Sequence, residues 1–179
     1  WTEINRPAVG SGMSACYFTF DAEFKWANNR FYKGDDGEKP WVPMMSGGLL
    51  AMSKRWWDEL GGYDPMMQGW GGENIDQSLR IWQCGGEIVS VRNTFIAHMF
   101  RDGTKKTQVN YHSVGSPTKN KWRSVDGWLG PFKQAVLKYP DFARFRRAKE
   151  DLSWYNEIQK RLKCKPFSWY IDRFSDIYM

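Results

Sequence analysis

The segment from Trp70 to Gly86 constrains the fold of this chain more than any other, and it reads W-G-G-E-N-I-D-Q-S-L-R-I-W-Q-C-G-G. The two glycines before Glu73 let the backbone pass close to a ligand without a Cβ clash. Backbone N–H groups at a helix N-terminus favour anions and close ligand approach. The pattern therefore predicts a ligand-facing loop that leads into a helix. A capped surface helix with a tight entry turn is the alternative, since capping explains Asn74 without any ligand.

The helix itself is predicted from apolar spacing. The residues at i, i+4 and i+7 are Ile75, Leu79 and Trp82. This spacing is typical of one apolar helical face. Asn74 suits the N-cap, with Gln77 as its capping-box partner, and Gly85 suits the position after the last turn. Asp76 and Arg80 form an i, i+4 pair, which we expect on the other side of the helix.

Composition indicates a globular domain with an aromatic-rich interior or binding surface. Hydrophobic residues make up 41% of the chain and aromatic residues 17%, including 11 Trp. We expect most of these Trp residues to be buried or half-buried. The net charge of +6 comes largely from residues 144–165, where basic and acidic residues alternate. A solvated helix face explains these charges better than a nucleic-acid surface, and no apolar run is long enough to predict a membrane segment.

Three cysteines occur, Cys16, Cys84 and Cys164, so at least one is unpaired within the chain. No C-x-x-C spacing indicates a zinc site.

Local patterns predict the remaining elements. Strands are expected at 15–20 and 87–91, at 44–52 with a break at Gly47-Gly48, and in an extended segment at 95–100. A short helix is expected from its Ser53 cap to Leu60, and longer helices at 127–139 and 142–162. Residues 102–120 are predicted to form a long polar loop that could act as a lid.

The Trp70–Gly86 segment resembles the W-G-G-E-N-x-E-x-S-F-R-x-W-x-C-G-G signature of the polypeptide N-acetylgalactosaminyltransferases. Four further blocks match that family in order: Phe24-Lys25-Trp26, Met45-Ser46-Gly47-Gly48-Leu49, His98-Met99-Phe100-Arg101 and Arg161 to Tyr170. Gln68 departs from the family pattern, which has Asp there, and so does Asp76, where it has Glu. The G-W-G-G-E run also resembles β-1,4-galactosyltransferases, but the Cys-Lys-Pro-Phe block favours the first family.

This resemblance implies an α/β, GT-A-like fold. It implies that residues 1–179 are a single partial GT-A catalytic domain, the acceptor-side half, without a lectin domain. The family's metal motif is Asp-x-His, and neither Asp-x-His nor Asp-x-Asp occurs in the sequence. The family cysteine matching Cys84 pairs with the first half of the domain, so the resemblance implies that Cys84 lacks its partner here.

The resemblance also implies roles for site residues. Glu73, Asn74 and Trp70 match catalytic residues, where Glu73 orients the substrates and Trp70 contacts the leaving phosphate. The matches to donor-binding residues are Ser46, Gly47, Gly48 and Arg101. The matches to acceptor-binding residues are Phe24, Trp26 and Phe100, and His98 matches a Mn²⁺ ligand. The alternatives are a structural histidine, a surface ion pair for Arg101, and simple core packing for the aromatic residues.

The implied activity is retaining, Mn²⁺-dependent transfer of GalNAc from a UDP-sugar donor to Ser or Thr hydroxyls of a polypeptide acceptor. Two alternatives stay open: a galactosyl- or hexosaminyltransferase acting on a glycan acceptor, and a non-catalytic module that binds sugar or peptide. The family implies a Golgi lumen location. A homo-oligomer could form through an uncovered sheet edge or an unpaired cysteine.

Overall fold

The computed structural model describes residues 15–27, 41–48, 50–91 and 114–178. Two short strands, β1 (Ala15–Phe18) and β2 (Phe24–Ala27), pair antiparallel, with Phe18 opposite Phe24. Cys16 and Phe18 alternate with Tyr17 and point into the core, as the period of a half-buried strand requires. The predicted strand at 15–20 is therefore confirmed, with an end two residues earlier than expected.

Helices are the main regular secondary structure of the described chain. Their bounds are α1 (Lys54–Glu59), α2 (Glu73–Gln83), α3 (Pro117–Trp128), α4 (Lys133–Val136), α5 (Pro140–Ala143), α6 (Ser153–Leu162), α7 (Phe167–Arg173) and α8 (Ser175–Tyr178). Two 3₁₀ turns occur at Gly130–Phe132 and Arg144–Arg147. In the part of the chain that the structure describes, no helix has the length and apolarity needed to cross a membrane.

The predicted short helix after Ser53 is confirmed as α1. The Ser53 hydroxyl accepts a hydrogen bond from the Trp56 N–H at 3.2 Å, which satisfies a donor that the first turn leaves free. Gly61 and Gly62 follow the helix with φ of 85° and 72°, a conformation that glycine adopts without steric cost.

Helix α2 lies at the centre of the core and packs against α3 and α7. Its predicted apolar face is buried, as expected. The face that carries Asp76 and Arg80 is buried as well: both side chains are 0% exposed, because Trp128 of α3 and Trp154 of α6 pack against them. The helix ends as predicted, with Gly85 at φ 94°. The Gly86 N–H donates to Ile81 O at 2.8 Å and closes a Schellman motif.

Several predicted elements differ from the structure. The described residues of segments 44–52 and 87–91 form no strands, and each segment contributes one isolated bridge, Met44 with Cys16 and Val89 with Trp41. Part of the predicted loop at 102–120 is helical, because Ser116 caps α3 and Pro117 occupies its first turn.

The predicted helices at 127–139 and 142–162 are broken into α4, α5, α6 and two 3₁₀ turns, since Gly130, Pro131 and Pro140 interrupt helical hydrogen bonding. The expected segment at 95–100 lies outside the described residues.

A disulfide joins Cys84, at the end of α2, to Cys164, between α6 and α7. The expectation that Cys84 lacks a partner is therefore wrong. The neighbouring backbone is also joined, since the Lys165 N–H donates to Gln83 O at 2.7 Å. Cys16 is the free cysteine among the described residues, and it is buried.

Candidate functional site

A cleft of about 300 Å³ opens between the β1–β2 turn, the start of α2 and one face of α3. Seven of the residues singled out from the sequence line it together: Phe24, Ser46, Gly47, Gly48, Trp70, Glu73 and Asn74. The structure thus gathers residues from three separate sequence blocks into one site. Trp26 lies beside the cleft, where its ring meets that of Phe24 edge-on at 5.1 Å. His98, Phe100 and Arg101 lie outside the described residues.

The loop that carries Trp70 depends on glycine. Gly69, Gly71 and Gly72 have φ of 69°, 99° and 89°, values that L-residues with a Cβ rarely adopt. Gly72 is the N-cap of α2, so the prediction that Asn74 caps the helix is wrong. Asn74 is the second helical residue, and its side-chain oxygen accepts from the Ile75 N–H at 3.0 Å. The glycine run turns the chain sharply enough to place Glu73 at the cleft.

Helix α3 holds this loop from behind. The Asn120 side chain makes two hydrogen bonds to the backbone of Gln68, and the Ser124 hydroxyl donates to Gly72 O at 3.0 Å. The packing is close: a Cβ on Gly69 would lie 1.8 Å from Val114 O, and one on Gly72 would lie 2.7 Å from the Asn120 carbonyl carbon. The loop therefore has little freedom to move away from α3.

Glu73 begins α2, where a carboxylate is favoured by the partial positive charge of the helix N-terminus. Gly47 lies directly against it, since a Cβ added to Gly47 would be 3.3 Å from Glu73 Oε1. The segment before Gly47 is tied to the same helix through Ser78. Its hydroxyl accepts from the Met45 N–H at 3.1 Å and donates to Asn74 O at 2.6 Å. These contacts fix the 46–48 segment beside the Glu73 carboxylate.

Two buried ion pairs support the site from the side away from the cleft. Asp76 accepts from Arg80 at 2.8 Å and from the Trp128 indole N–H at 2.8 Å. Burial raises the pKa of the Asp76 carboxyl, while Arg80 and the Trp128 N–H act against that rise. In the second pair, Arg123 binds both oxygens of Asp64, at 2.7 and 3.1 Å. Paired and hydrogen-bonded charges of this kind hold helix positions because breaking either partner leaves a buried charge.

The exposed fraction of each Trp side chain distinguishes the Trp residues of the core from those near the cleft. Of the described Trp residues, only Trp26 and Trp70 are exposed, at 60% and 66%; Trp70 lines the cleft and Trp26 lies beside it. The expectation that most Trp residues are buried or half-buried is confirmed for the described part. Two exposed indole rings beside one cleft make this face a candidate binding surface, whereas the other described Trp rings are buried or half-buried.

Sequence reasoning missed three residues that shape the site, namely Asn120, Lys121 and Ser124. All three belong to α3, which was expected to be a loop as far as residue 120. The Ser116-Pro117 pair was the available signal, because Ser at the N-cap and Pro at the first helical position together favour a helix start.

The described residues contain no group of three or more His, Cys, Asp or Glu side chains placed to hold a metal ion. The described part of the cleft therefore does not supply a Mn²⁺ ligand set, and the predicted ligand, His98, lies outside it.

Comparison with known proteins gives the family. A family model described as the N-terminal domain of galactosyltransferase matches residues 36–102. Polypeptide N-acetylgalactosaminyltransferase 3 of Mus musculus is 32% identical over 178 residues, which is 95% of this chain and 28% of that protein. The inactive polypeptide N-acetylgalactosaminyltransferase-like protein 5 of Macaca fascicularis is 33% identical over 165 residues, which is 87% of this chain and 35% of that protein.

A solved structure agrees with these matches. The crystal structure of GalNAc-T7 with UDP, GalNAc and Mn²⁺ aligns with a TM-score of 0.74 and 27% identity, covering 91% of this chain and 31% of that one. The predicted α/β, GT-A-like fold class is thereby confirmed. The chain spans about a third of the length of the relatives it matches. It belongs to the polypeptide N-acetylgalactosaminyltransferase family.

Proposed function

We propose that this chain is the acceptor-side part of a single GT-A catalytic domain that transfers GalNAc from UDP-GalNAc to Ser or Thr hydroxyls of polypeptides, with retention at the anomeric carbon. One observation carries the proposal. The cleft brings the glycine loop with Trp70, the Glu73–Asn74 helix start and the 46–48 segment into contact with an aromatic hairpin. These are the sequence blocks that match the family.

Each group has a role that its position supports. Trp70 projects into solvent at the cleft, so its indole N–H is available to a leaving phosphate oxygen. Glu73 is held at a helix N-terminus against Gly47, where it can orient a sugar hydroxyl and support positive charge developing on the sugar ring. We assign it no role as a covalent nucleophile. Asn74 lines the cleft beside Glu73 and offers amide groups to the sugar.

The two walls of the cleft differ in a way that suits two substrates. Gly47 and Gly48 carry no side chains of their own, so a sugar ring can approach their backbone closely. The opposite hairpin presents Phe24 and Trp26, whose faces suit the apolar parts of a peptide. We propose Ser46, Gly47 and Gly48 for the donor side and Phe24 and Trp26 for the acceptor side.

Mn²⁺ dependence, with His98 as one ligand and with Arg101 and Phe100 as further contacts, is proposed from the family resemblance. The metal in the GalNAc-T7 structure supports it. The roles proposed above for the described residues do not require the metal ion. We also propose a Golgi lumen location, with which the Cys84–Cys164 disulfide agrees, since disulfides persist in oxidising compartments.

A second candidate function is binding of sugar or peptide without transfer. The similar Macaca fascicularis protein is named as inactive, and the exposed Trp pair suits binding alone. The two functions differ in what they require, because transfer needs the UDP-sugar donor and binding does not.

The test is calorimetry of UDP-GalNAc binding to the folded chain with and without Mn²⁺, with UDP-Gal as the competing donor. It is combined with an assay of GalNAc incorporation into a Thr peptide and into the same peptide with Ala. We expect UDP-GalNAc binding, lost in Glu73→Gln and kept in Glu157→Gln, an exposed carboxylate of α6. Incorporation into the Thr peptide alone supports transfer. Peptide binding without incorporation supports the second candidate, and a folded chain that binds neither donor nor peptide contradicts both.

A further inference from the structure

One cation lines the described part of the cleft, and the family resemblance assigns it no role. Lys121 lies on the second turn of α3, and its Nζ forms an ion pair with Glu23 Oε1 at 2.5 Å. Glu23 belongs to the turn between β1 and β2, so the pair bridges the aromatic hairpin and the helix that holds the Trp70 loop. It places a positive charge between Phe24 and Trp70.

The two partners of the ion pair differ in how far their side chains are exposed to solvent. The Lys121 side chain is 20% exposed and the Glu23 side chain 51%. Exposed and half-exposed pairs contribute little to stability, so their exchange costs little. Losing the Glu23 carboxylate contact does not open the turn, because the Glu23 backbone is held independently. Its carbonyl accepts from the Thr19 N–H at 3.0 Å, and its N–H donates to Asp21 Oδ1 at 3.3 Å.

Lys121, by contrast, is anchored by its neighbours on α3. Asn120, immediately before it, is bound to the Gln68 backbone, and Ser124 is bound to Gly72 O. The backbone of Lys121 therefore keeps its position relative to Trp70 and Glu73 when Glu23 moves, and the flexible lysine side chain can follow a new carboxylate partner within the cleft.

We propose that Lys121 is an acceptor subsite that selects polypeptides with an acidic side chain near the hydroxyl to be modified, and that the peptide carboxylate takes the place of Glu23 on Lys121. The inference rests on the proposed function, because it assumes that a peptide occupies the cleft. It adds a charge preference that the aromatic residues alone do not supply. The net charge of +6 attracts such acidic ligands to the chain at longer range.

The test uses two short peptides with one Thr each, flanked on both sides by Asp in one and by Asn in the other. Their dissociation constants for the full chain are measured by calorimetry at one ionic strength. We expect the Asp peptide to bind about two- to fivefold more tightly, the range for partly exposed ion pairs. Lys121→Met brings the ratio of the two dissociation constants to about one, and Lys121→Arg restores the preference. Glu23→Gln increases the preference, because it removes the competing carboxylate.

Two controls separate the subsite from general charge effects. Lys119→Met removes an exposed cation from the same helix, outside the cleft lining, and keeps the preference. In the double variant Glu23→Gln/Lys121→Met the preference is absent, because the gain from Glu23→Gln requires Lys121.

Three outcomes overturn the inference. One is equal binding of both peptides by the unmodified chain. Another is a preference that survives Lys121→Met in a chain shown to be folded by circular dichroism. The third is loss of UDP binding in Lys121→Met with the peptide preference intact, which would assign the cation to the donor diphosphate. Absence of binding for both peptides would instead count against the proposed function itself.

Discussion

The side-chain amide of Asn120 takes the place of a strand partner for the backbone of Gln68. Its Nδ2 donates to Gln68 O at 2.8 Å, and its Oδ1 accepts from the Gln68 N–H at 3.2 Å. Asn120 is itself buried. One residue of α3 thereby satisfies both backbone groups at the start of the loop that carries Trp70, so the helix and the loop form one structural unit.

Asn120→Asp should keep one of these two hydrogen bonds and remove the other. The carboxylate still accepts from the Gln68 N–H, but it cannot donate to Gln68 O and places two oxygens in contact. We expect a loss of about 1 to 3 kcal/mol in the free energy of unfolding, the cost of an unsatisfied buried group. Urea unfolding measures it, with Asn156→Asp on the exposed side of α6 as the matched control. An equal effect of the two substitutions would show that the Asn120 amide is not needed.

Gly69 and Gly85 offer a comparison between steric overlap and backbone strain. Both have positive φ, 69° and 94°, but a Cβ on Gly69 would lie 1.8 Å from Val114 O, whereas one on Gly85 would meet nothing within 4 Å. We expect Gly85→Ala to cost about 1 to 2 kcal/mol, the strain of a left-handed residue, and Gly69→Ala to cost clearly more. Thermal unfolding of both variants checks the order, and similar costs would contradict the close packing of the loop on Val114.

The Cys84–Cys164 disulfide should contribute strongly to stability, because it closes a sequence separation of 80 residues. The chain-entropy treatment gives an upper figure of about 4 to 5 kcal/mol for such a loop. We expect Cys164→Ala to lower the free energy of unfolding by about 2 to 5 kcal/mol. A reductant should lower the stability of the unmodified chain by a similar amount and leave the variant unaffected. A reductant effect that persists in Cys164→Ala would assign the loss to another thiol.

Cys16 should make stability fall at alkaline pH. Burial raises the pKa of its thiol from 9.0 to about 12. Between these values the unfolded chain loses the thiol proton and the folded chain keeps it, so the unfolded state is favoured as pH rises. We expect the free energy of unfolding to decline from about pH 9 upward, and Cys16→Ala to make that decline shallower. Urea unfolding at a series of pH values measures it, and parallel curves would contradict a buried, protonated thiol.

The family and the site loop could be read from the sequence because their signals are local. The glycine run before Glu73, the apolar spacing of α2 and the Gly85 end all depend on residues within a few positions of one another. The same holds for the Ser53 cap of α1. Such patterns identify where the chain turns and which face of a helix is apolar.

Other features could not be predicted, because they depend on long-range contacts. Asp76 and Arg80 form an i, i+4 pair that is typical of solvated helix faces, and only the position of Trp128 on α3 and Trp154 on α6 buries them. The pairing of Cys84 with Cys164 likewise requires α6 and α7 to fold back on α2. The N-cap is Gly72 and not the predicted Asn74. The close packing of this loop against α3 leaves no room for a side chain at position 72.

The disulfide also has a topological consequence. Every peptide bond between Cys84 and Cys164 lies inside a covalent ring that contains all of α3, α4, α5 and α6. A protease that cuts anywhere within this ring leaves both pieces attached to each other through sulfur. A nicked chain would therefore migrate as a single species until it is reduced, and α3 would stay tethered to the helix that carries Glu73.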